Sequence, residues 1–271
     1  MKIHLLIIDP QNDFCDIDGA TLPVPGANED MQRLGTMINR VGSKLEDIHV
    51  TLDSHRFIDI AHPAWWKNQN GDQPAPFTII SADDIENGIW TTRNPGFCKR
   101  TLEYARQLEA TGKYLICVWP PHCLIGTWGH NVHTDLNEAL QNWSNKEFAM
   151  VDYVTKGSNP WTEHYGAMQA EVSDPDDPTT TLNTDFLAML SEADMVVIAG
   201  EALSHCVKET VTQIADNIGV EHIEKFRILT DCSSSVSAVP GGPDFPTIAE
   251  KWLKKMEARG MTLITSTNFL A

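Results

Sequence analysis

The chain has 271 residues, of which 42% are apolar and 21% charged, as is ordinary for a globular protein with a sizeable hydrophobic core. Acidic residues outnumber basic ones by 37 to 20, and the resulting formal charge of −17 would repel phosphate backbones and anionic lipids. The composition therefore argues against a nucleic-acid-binding protein and against membrane attachment through a basic patch.

The first apolar run and the cysteines bear on the location of the protein. The run at 3–8 is too short for the core of a signal peptide and far too short to span a membrane. The six cysteines are dispersed and form no CxxC pair, which argues against a disulfide framework. We therefore expect a reduced, cytoplasmic protein with no membrane segment.

Short apolar runs alternate with amphipathic stretches along the chain. The apolar runs are nearly continuous, as expected for parallel strands that are buried on both faces. These predicted strands are 3–8, 48–52, 114–118, 148–154, 195–199, 226–229 and 261–264. Helical spacing predicts helices at 31–41, 101–110, 135–143, 182–190, 207–218 and 248–256. This alternation predicts a three-layer α/β fold with a mostly parallel sheet.

Two segments interrupt the alternation within what we interpret as a single domain over 1–271. Residues 63–99 are rich in Trp, Pro, Asn and Gly, and residues 172–181 form an acidic, proline-containing stretch. We interpret them as an insertion and a loop, because long loops in compact domains are usually lids or interfaces. A surface excursion without a role in catalysis is the alternative, and the sequence favours neither.

Reactive side chains follow most of the predicted strands. In an open parallel α/β sheet, ligands bind at the carboxyl ends of the strands, so the residues that follow each strand are the candidates. These candidates are Asp9, Asp53, His55, His62, His122, Lys156, Cys206 and Asp231. Because the carboxyl ends of parallel strands lie at one edge of the sheet, we expect these groups to gather on one rim.

Cys206 is the candidate nucleophile. It lies at the start of a predicted helix, where backbone N–H groups and the helix dipole lower a thiol pKa and can hold an oxyanion. Lys156 would add a positive charge beside the thiolate, and Asp9 could accept and return its proton. Taken singly, the alternatives are an inert buried cysteine, a solvated lysine and a turn or capping aspartate. The other five cysteines share no such setting.

Asp53 and His55 are the candidate metal ligands, because they form a carboxylate–imidazole pair directly after a strand. With His62 or His122 they could offer three or four ligands to Zn²⁺, Fe²⁺ or Mn²⁺. A hydrogen-bonded turn explains an Asp-x-His sequence as easily. Two later histidines are rival ligands or polar loop residues: His130 and His133.

In their order, these motifs resemble those of the nicotinamidase branch of the isochorismatase-like cysteine hydrolases. The matching segments are DPQNDFC at 9–15, DSH at 53–55, WPPHCLIGT at 119–127, KG at 156–157 and GEALSHCV at 200–207. The resemblance extends from residue 9 to about 235. It implies the isochorismatase-like hydrolase fold, a three-layer α/β/α architecture with a central, mostly parallel six-stranded sheet.

The resemblance also implies roles for these residues. The catalytic group would be Asp9, Lys156 and Cys206, and the N–H groups of Ala202 and Cys206 would form an oxyanion hole beside a cis peptide after Glu201. The implied metal ligands are Asp53, His55 and His122, with His62 as a candidate fourth. The candidate substrate-binding residues are Phe14, Trp119, Tyr165 and His205, although core packing explains Phe14 and Trp119 equally well.

The implied activity is hydrolysis of a small-molecule, non-peptide amide, with nicotinamide giving nicotinate and ammonia as the leading case. The implied cofactor is one divalent metal ion. The resemblance is compatible with a homo-oligomer, because many relatives self-associate, but the sequence does not decide the number of subunits. The alternatives are another amidase of the superfamily, acting on a carbamoyl, ureido or larger aromatic amide, and a non-catalytic metal-binding scaffold. The first gains weight from the insertion and from Leu203-Ser204, where the branch often has Thr-Asp.

Overall fold

The computed structural model describes residues 1–238 and 243–271, and within them it contains ten strands and seven α-helices. The strands are β1 (Ile3–Ile8), β2 (Asp47–Asp53), β3 (Trp66–Lys67), β4 (Ile79–Ile80), β5 (Thr91–Thr92), β6 (Ile116–Cys117), β7 (Asp152–Lys156), β8 (Met195–Gly200), β9 (Phe226–Leu229) and β10 (Thr262–Ile264). The helices are α1 (Ala27–Val41), α2 (Ala82–Glu86), α3 (Cys98–Ala110), α4 (Thr134–Glu147), α5 (Thr184–Glu192), α6 (Lys208–Asn217) and α7 (Phe245–Ala258).

Six of the strands form one sheet in the order β10-β9-β8-β1-β2-β7, and every pair in it is parallel. Side chains of β1 alternate between the two faces: Leu5 and Ile7 pack with α1 and α4, whereas Leu6 and Ile8 pack with α5, α6 and α7. Because both faces of the sheet are covered by helices, its central strands carry continuous apolar runs. The predicted three-layer α/β/α fold with a six-stranded sheet is confirmed.

The predicted helices are also present, with boundaries that differ by a few residues from the periodic segments. Their apolar residues face the sheet, except in α3, whose buried apolar residues belong to a separate cluster. In α1, for example, Met31, Leu34 and Ile38 are buried, as their spacing along one helical face requires. Among the described helices, none has both the length and the apolar character needed to cross a membrane.

The strand predicted at 114–118 does not join the central sheet. Only Ile116–Cys117 forms a strand there, and it pairs antiparallel with β4. The position beside β2 in the sheet is taken by β7, which pairs with β2 in parallel. Ile116 and Val118 are apolar for a different reason, because they are buried in a separate cluster with residues of the predicted insertion.

The strand predicted at 148–154 begins later than expected. Phe148 ends α4 in the left-handed region with φ +51°, and both Phe148 and Met150 are exposed. The strand proper is β7, and its register pairs His49 with Asp152 and Asp53 with Lys156. Pairing with β2, rather than local hydrophobicity, therefore sets its boundaries, and it places Lys156 at the last position of the strand.

The predicted insertion at 63–99 packs together with α3 in a hydrophobic cluster that is separate from the two clusters on the sheet. The cluster buries both tryptophans of the adjacent pair Trp65 and Trp66, and Trp65 also packs against Trp161 at 4.8 Å between ring centroids. The loop at 172–181 is tied to this region, because the Asp174 carboxylate accepts a hydrogen bond from Arg100 of α3 at 2.5 Å. The single-domain assignment for 1–271 stays a prediction.

Gly200 generates the first prediction. It ends β8 with φ +122°, and a Cβ on it would lie 2.0 Å from the carbonyl oxygen of Ile8 on the neighbouring strand. We expect Gly200→Ala to lower the free energy of unfolding in urea by at least about 3 kcal/mol, because neither backbone can move away.

Gly88→Ala is the matched control, since Gly88 also has a positive φ, of +70°, but nothing lies within 4 Å of the position that an added Cβ would take. Its expected loss is about 1–2 kcal/mol, the cost of the backbone conformation alone. Equal losses for the two variants would contradict the steric explanation.

Candidate active site and metal centre

Four strands of the sheet bring the predicted rim residues together. Asp9 follows β1, Asp53 ends β2, Lys156 ends β7, and Cys206 lies a few residues after β8. The parallel register pairs Asp53 directly with Lys156, and it pairs the last residue of β1 with Gly200. Adjacent strand ends are therefore level, and the side chains that follow them meet at one rim of the sheet, as predicted from their positions.

Lys156 is at the centre of this group. Its Nζ lies 3.0 Å from Asp9 Oδ2 and 2.9 Å from Asp53 Oδ1, and it donates a hydrogen bond to the His164 carbonyl oxygen at 2.9 Å. The Cys206 Sγ is 3.8 Å away. The ammonium group is buried. Its contacts with two carboxylates compensate the free-energy cost of removing its charge from water.

Cys206 lies in a turn of π-helix, Leu203–Val207, that leads into α6. Burial raises the pKa of the Cys206 thiol well above its ordinary value; Lys156 opposes this, while Asp9 adds to it. The direction is opposite to the lowering expected from a helix start. The thiol is therefore protonated at neutral pH in this structure, and its use as a nucleophile requires a base.

Asp9 is positioned to be that base. Its Oδ1 accepts a hydrogen bond from Thr51 Oγ1 at 2.6 Å, whereas Oδ2 is buried and faces Lys156 without a well-formed hydrogen bond. Burial raises the pKa of the Asp9 carboxyl, and the Lys156 charge opposes that rise. A carboxylate with a raised pKa and a free oxygen is a better proton acceptor than an exposed one.

The loop between β8 and Cys206 supplies backbone donors. The peptide bond between Glu201 and Ala202 is cis, as the resemblance implies. The N–H of Glu201 donates to Ile8 O and that of Leu203 to Ser234 O, both at 2.8 Å. Among the residues that the structure describes, no acceptor takes the Ala202 N–H, and Ala202 lines the same cavity as Cys206.

Asp53 also faces a cluster of three histidines. Its Oδ2 lies 3.1 Å from His55 Nε2 and 3.4 Å from His122 Nε2. The ring centroids of His55 are 4.7 Å from His122 and 5.0 Å from His62. Burial acts against ionisation of Asp53, but His55 and Lys156 outweigh it and hold the Asp53 pKa well below its usual range. The carboxylate is therefore charged and ready to act as a ligand.

The second nitrogen of each ring has an oxygen partner that orients the ring. Each Nδ1 lies within hydrogen-bond distance of an oxygen atom: His55 to Asp59 Oδ2 at 3.1 Å, His62 to Arg56 O at 3.1 Å and His122 to Pro120 O at 2.8 Å. A carbonyl oxygen can only accept, so His62 and His122 donate from Nδ1 and keep a lone pair on Nε2. Outer oxygen partners of this kind orient histidine ligands in metal sites.

The donor set fits a divalent metal ion. Ligand atoms of Asp53, His55 and His122 all lie within 4.8 Å of one another. His62 Nε2 is buried and has no hydrogen-bond partner within 1–238 and 243–271, and burial lowers the pKa of His62 to about 3, so this nitrogen keeps a free lone pair. Burial opposes it, but Asp53 and Asp59 raise the pKa of His55 well above its ordinary value, so His55 would release a proton on binding an ion. One carboxylate with two or three imidazoles is then a common ligand set for zinc and for other transition metals.

Three other candidates are not part of this cluster. Each is bonded to a different partner: His130 Nε2 to Ser54 Oγ at 2.8 Å, His133 Nε2 to Asn28 Oδ1 at 3.0 Å and Asp231 Oδ1 to the Ser266 N–H at 2.7 Å. The sequence motifs alone did not separate the rival histidines from the cluster, because all of them lie in loops with no periodic signal.

Asp53, Lys156 and Cys206 line a cavity of about 430 Å³, whereas Asp9 is fully buried next to Lys156. The cavity walls include all four predicted substrate-binding residues: Phe14, Trp119, Tyr165 and His205. The Trp119 ring is perpendicular to that of His205 at 5.8 Å between centroids, and its Nε1 donates to Tyr165 OH at 3.3 Å. The cavity therefore combines flat apolar walls with a reactive thiol, as a site for a planar amide requires.

Two residues of the site had no assigned role in the sequence. Gln11 fixes the Asp53 backbone, since Gln11 Nε2 donates to Asp53 O at 2.8 Å and Gln11 Oε1 accepts from Asp53 N at 2.7 Å. Glu163 lines the cavity and accepts a hydrogen bond from Trp119 Nε1 at 3.2 Å, and burial raises its pKa to about 7. Gln11 is within the DPQNDFC motif, whereas Glu163 follows no strand.

The fold is shared with solved isochorismatase-like hydrolases. An isochorismatase-like hydrolase from Alkaliphilus metalliredigens superposes with a TM-score of 0.54 at 16% identity, covering 100% of this chain and 98% of that one. No family model matches the chain.

The more similar proteins are nicotinamidases, so the resemblance seen in the motifs is confirmed. The chain is 24% identical to the nicotinamidase of Saccharomyces cerevisiae over 96% of its length and 98% of that protein's, and 26% identical to that of Escherichia coli K12 over 96% and 93%. The Acinetobacter baumanii nicotinamidase/pyrazinamidase structure gives a TM-score of 0.62 at 22% identity, covering 99% and 98%. A Pyrococcus horikoshii pyrazinamidase in complex with zinc gives 0.56 at 19%, covering 98% and 99%.

The histidine cluster generates the second prediction. We expect His122→Ala to weaken zinc binding by at least about 100-fold and His62→Ala by at least about 10-fold, because each removes an oriented Nε2 lone pair. The measurement is equilibrium dialysis against a zinc buffer followed by metal analysis.

His133→Ala is the control, since His133 is buried but bonded to Asn28 outside the cluster. Unchanged zinc affinity in His62→Ala would remove His62 from the ligand set. Unchanged affinity in His122→Ala would contradict the metal centre as a whole.

Proposed function

We propose that the chain is a metal-containing cysteine amidohydrolase that converts nicotinamide and water to nicotinate and ammonia. One observation carries the proposal: a single buried ammonium, that of Lys156, contacts the candidate base Asp9, the candidate metal ligand Asp53 and the candidate nucleophile Cys206. The candidate base and nucleophile of an amidase and a candidate metal ligand therefore all contact the same cation. The nicotinamidases of similar length among the relatives support the same activity.

In the first half of the reaction, Asp9 takes the proton of the Cys206 thiol as Sγ attacks the amide carbon. The carbonyl oxygen gains negative charge, and the N–H groups of Ala202 and Cys206 would donate to it. Lys156 stabilises the thiolate and the Asp9 carboxylate while the proton moves. Asp9 then returns this proton to the departing nitrogen, so that the C–N bond breaks, ammonia leaves and a thioester to Cys206 remains.

In the second half, a water molecule replaces ammonia. Asp9 accepts a proton from the water as its oxygen attacks the thioester carbon, and the same backbone donors face the oxyanion. The C–S bond breaks, the proton on Asp9 passes to Sγ, and nicotinic acid is released; it ionises to nicotinate, and ammonia takes up its proton. Atoms and charges balance over the cycle, because Asp9 donates and accepts one proton in each half.

The cavity walls would position the substrate. The rings of Phe14 and Trp119 offer faces for a flat pyridine, and Tyr165 and His205 border the same space. A divalent ion held by Asp53, His55, His122 and His62 would supply a Lewis-acidic site that orients the ring nitrogen. We propose zinc as that ion, with iron and manganese as alternatives.

A second candidate activity is hydrolysis of a carbamoyl, ureido or larger aromatic amide. One observation favours it: the predicted insertion contributes Pro76 and Phe77 to the cavity wall. A non-catalytic metal-binding scaffold is less well supported, because aspartate, lysine and thiol are all present and in contact. The cytoplasmic location expected from the sequence and the homo-oligomer that the resemblance allows stay predictions.

Replacing the nucleophile is the direct test. We expect Cys206→Ala to reduce ammonia release from nicotinamide by at least about 1,000-fold, because Cys206 is the one cysteine among the described residues that line the cavity. Ammonia should be measured over a panel of amides headed by nicotinamide, and the acyl-enzyme should be sought by intact-protein mass spectrometry after rapid acid quench.

Cys98→Ala provides the matched control, since Cys98 is a free, partly buried thiol of the insertion region outside the cavity. It should retain full activity. Full turnover by Cys206→Ala would exclude the covalent mechanism, and Cys206-dependent release from a different amide alone would favour the second candidate activity.

The assignment of Asp9 as the base gives a separate prediction. We expect Asp9→Asn to lower kcat by about 10²–10⁴-fold, the usual contribution of general acid–base catalysis, because the buried thiol then has no proton acceptor. Asp231→Asn is the control, because Asp231 also follows a strand but bonds to Ser266 instead. A kcat for Asp9→Asn within a few-fold of the unmodified protein would assign proton transfer to another group.

A further inference from the structure

The catalytic cavity has two chemically different halves. At its inner end lie the buried groups Asp53, Lys156 and Cys206. We define its rim as the exposed or half-exposed apolar lining residues of three separate segments: Leu22, Pro23, Pro25, Pro76, Phe77 and Val236. Two exposed polar residues of the lining, Thr21 and Ser237, adjoin them. The rim thus offers an apolar surface to whatever part of a substrate extends out of the reactive end.

Phe77 is the most exposed large side chain of this rim, with 58% of its surface accessible. Its ring meets that of Trp119 edge-on at 5.9 Å between centroids. The Phe77 N–H donates to the carbonyl oxygen of Val118, the residue before Trp119, at 2.5 Å. The insertion is thereby joined to the motif that carries His122, and the two rings form one continuous wall.

The backbone of Phe77 is unusual for a bulky residue. Its φ of +68° lies in the left-handed region, which residues of this kind rarely adopt. Unfavourable backbone conformations of this sort are concentrated at binding and catalytic sites, where the surrounding structure maintains them. Here the conformation holds an aromatic ring at the cavity mouth.

The size of the cavity points to a substrate larger than a pyridine with one carboxamide. Its volume of about 430 Å³ is within the range of about 300–1,000 Å³ that holds drug-sized ligands. An unsubstituted nicotinamide that reaches Cys206 would leave the rim in contact with water. A substituent on its ring would cover the rim, and apolar carbons are what these six residues favour.

We infer that the preferred substrates of this chain are aromatic carboxamides whose ring carries an apolar substituent of several carbons, which the rim buries. This inference rests on the proposed amidase function and adds the substrate class. The contacts form on binding and persist in the transition state, so they lower KM rather than raise kcat.

The test compares nicotinamide with a set of butylnicotinamides in which the butyl group occupies each free ring carbon in turn. For the best of them we expect kcat/KM to exceed that of nicotinamide by at least about tenfold, through KM. Phe77→Asn should lower this ratio by about fivefold or more, and asparagine tolerates the left-handed backbone. Leu22→Gln, on another segment of the rim, should lower it too.

Phe148→Asn is the matched control. Phe148 is also an exposed phenylalanine with positive φ, of +51°, but it ends α4 and does not line the cavity. This variant should leave the ratio and the activity on nicotinamide unchanged.

The outcomes separate the inference from the function on which it rests. If nicotinamide is hydrolysed with dependence on Cys206 but no butylnicotinamide is better, the substrate class is wrong and the amidase function stands. If no amide releases ammonia with dependence on Cys206, both fail. If the rim variants leave the ratio unchanged and instead dissociate a dimer, the rim is an interface between copies and the inference is overturned.

Discussion

The buried ammonium of Lys156 is the constraint on which the rest of the site depends. Only 2% of the residue is exposed. The free-energy cost of burying its charge would be prohibitive without the carboxylates of Asp9 and Asp53, which lie within 3.0 Å. The converse holds for the two carboxylates, because removing one member of a buried ion pair costs about 3–5 kcal/mol. Three charges from three different strands therefore stabilise one another.

The sheet register turns this electrostatic requirement into geometry. Because β2 and β7 are parallel and Asp53 pairs with Lys156, the carboxylate and the ammonium project from the same level of the sheet. The same cation then serves both halves of the site, since it contacts the candidate base and a candidate metal ligand. A change of charge on the base therefore affects the metal ligand, and the reverse. Burial first, and then the neighbouring Asp9 and Asp53, raise the pKa of the Cys206 thiol, while Lys156 opposes them.

Much of this arrangement could be predicted from the sequence, because parallel strands end at one edge of a sheet. Asp9, Asp53 and Lys156 each follow or end an apolar run, so their meeting required only the fold class. His122 reached the site by another route. Its expected strand is not in the sheet, and the loop is held instead by hydrogen bonds to His55, from the His55 N–H to Cys123 O at 3.1 Å and from the Ile125 N–H to His55 O at 3.0 Å.

What the sequence did not reveal is how the insertion acts. Its tryptophans pack in a cluster with α3, so the aromatic residues of this segment mainly stabilise the segment itself. That rigid cluster in turn supports β4 and β6, and their pairing positions Phe77 against Trp119. No periodic pattern marks Phe77 or Glu163, because each reaches the cavity through tertiary packing of a loop. Strand ends could thus predict the chemistry of the site, whereas the shape of its mouth depends on packing that short-range sequence patterns do not encode.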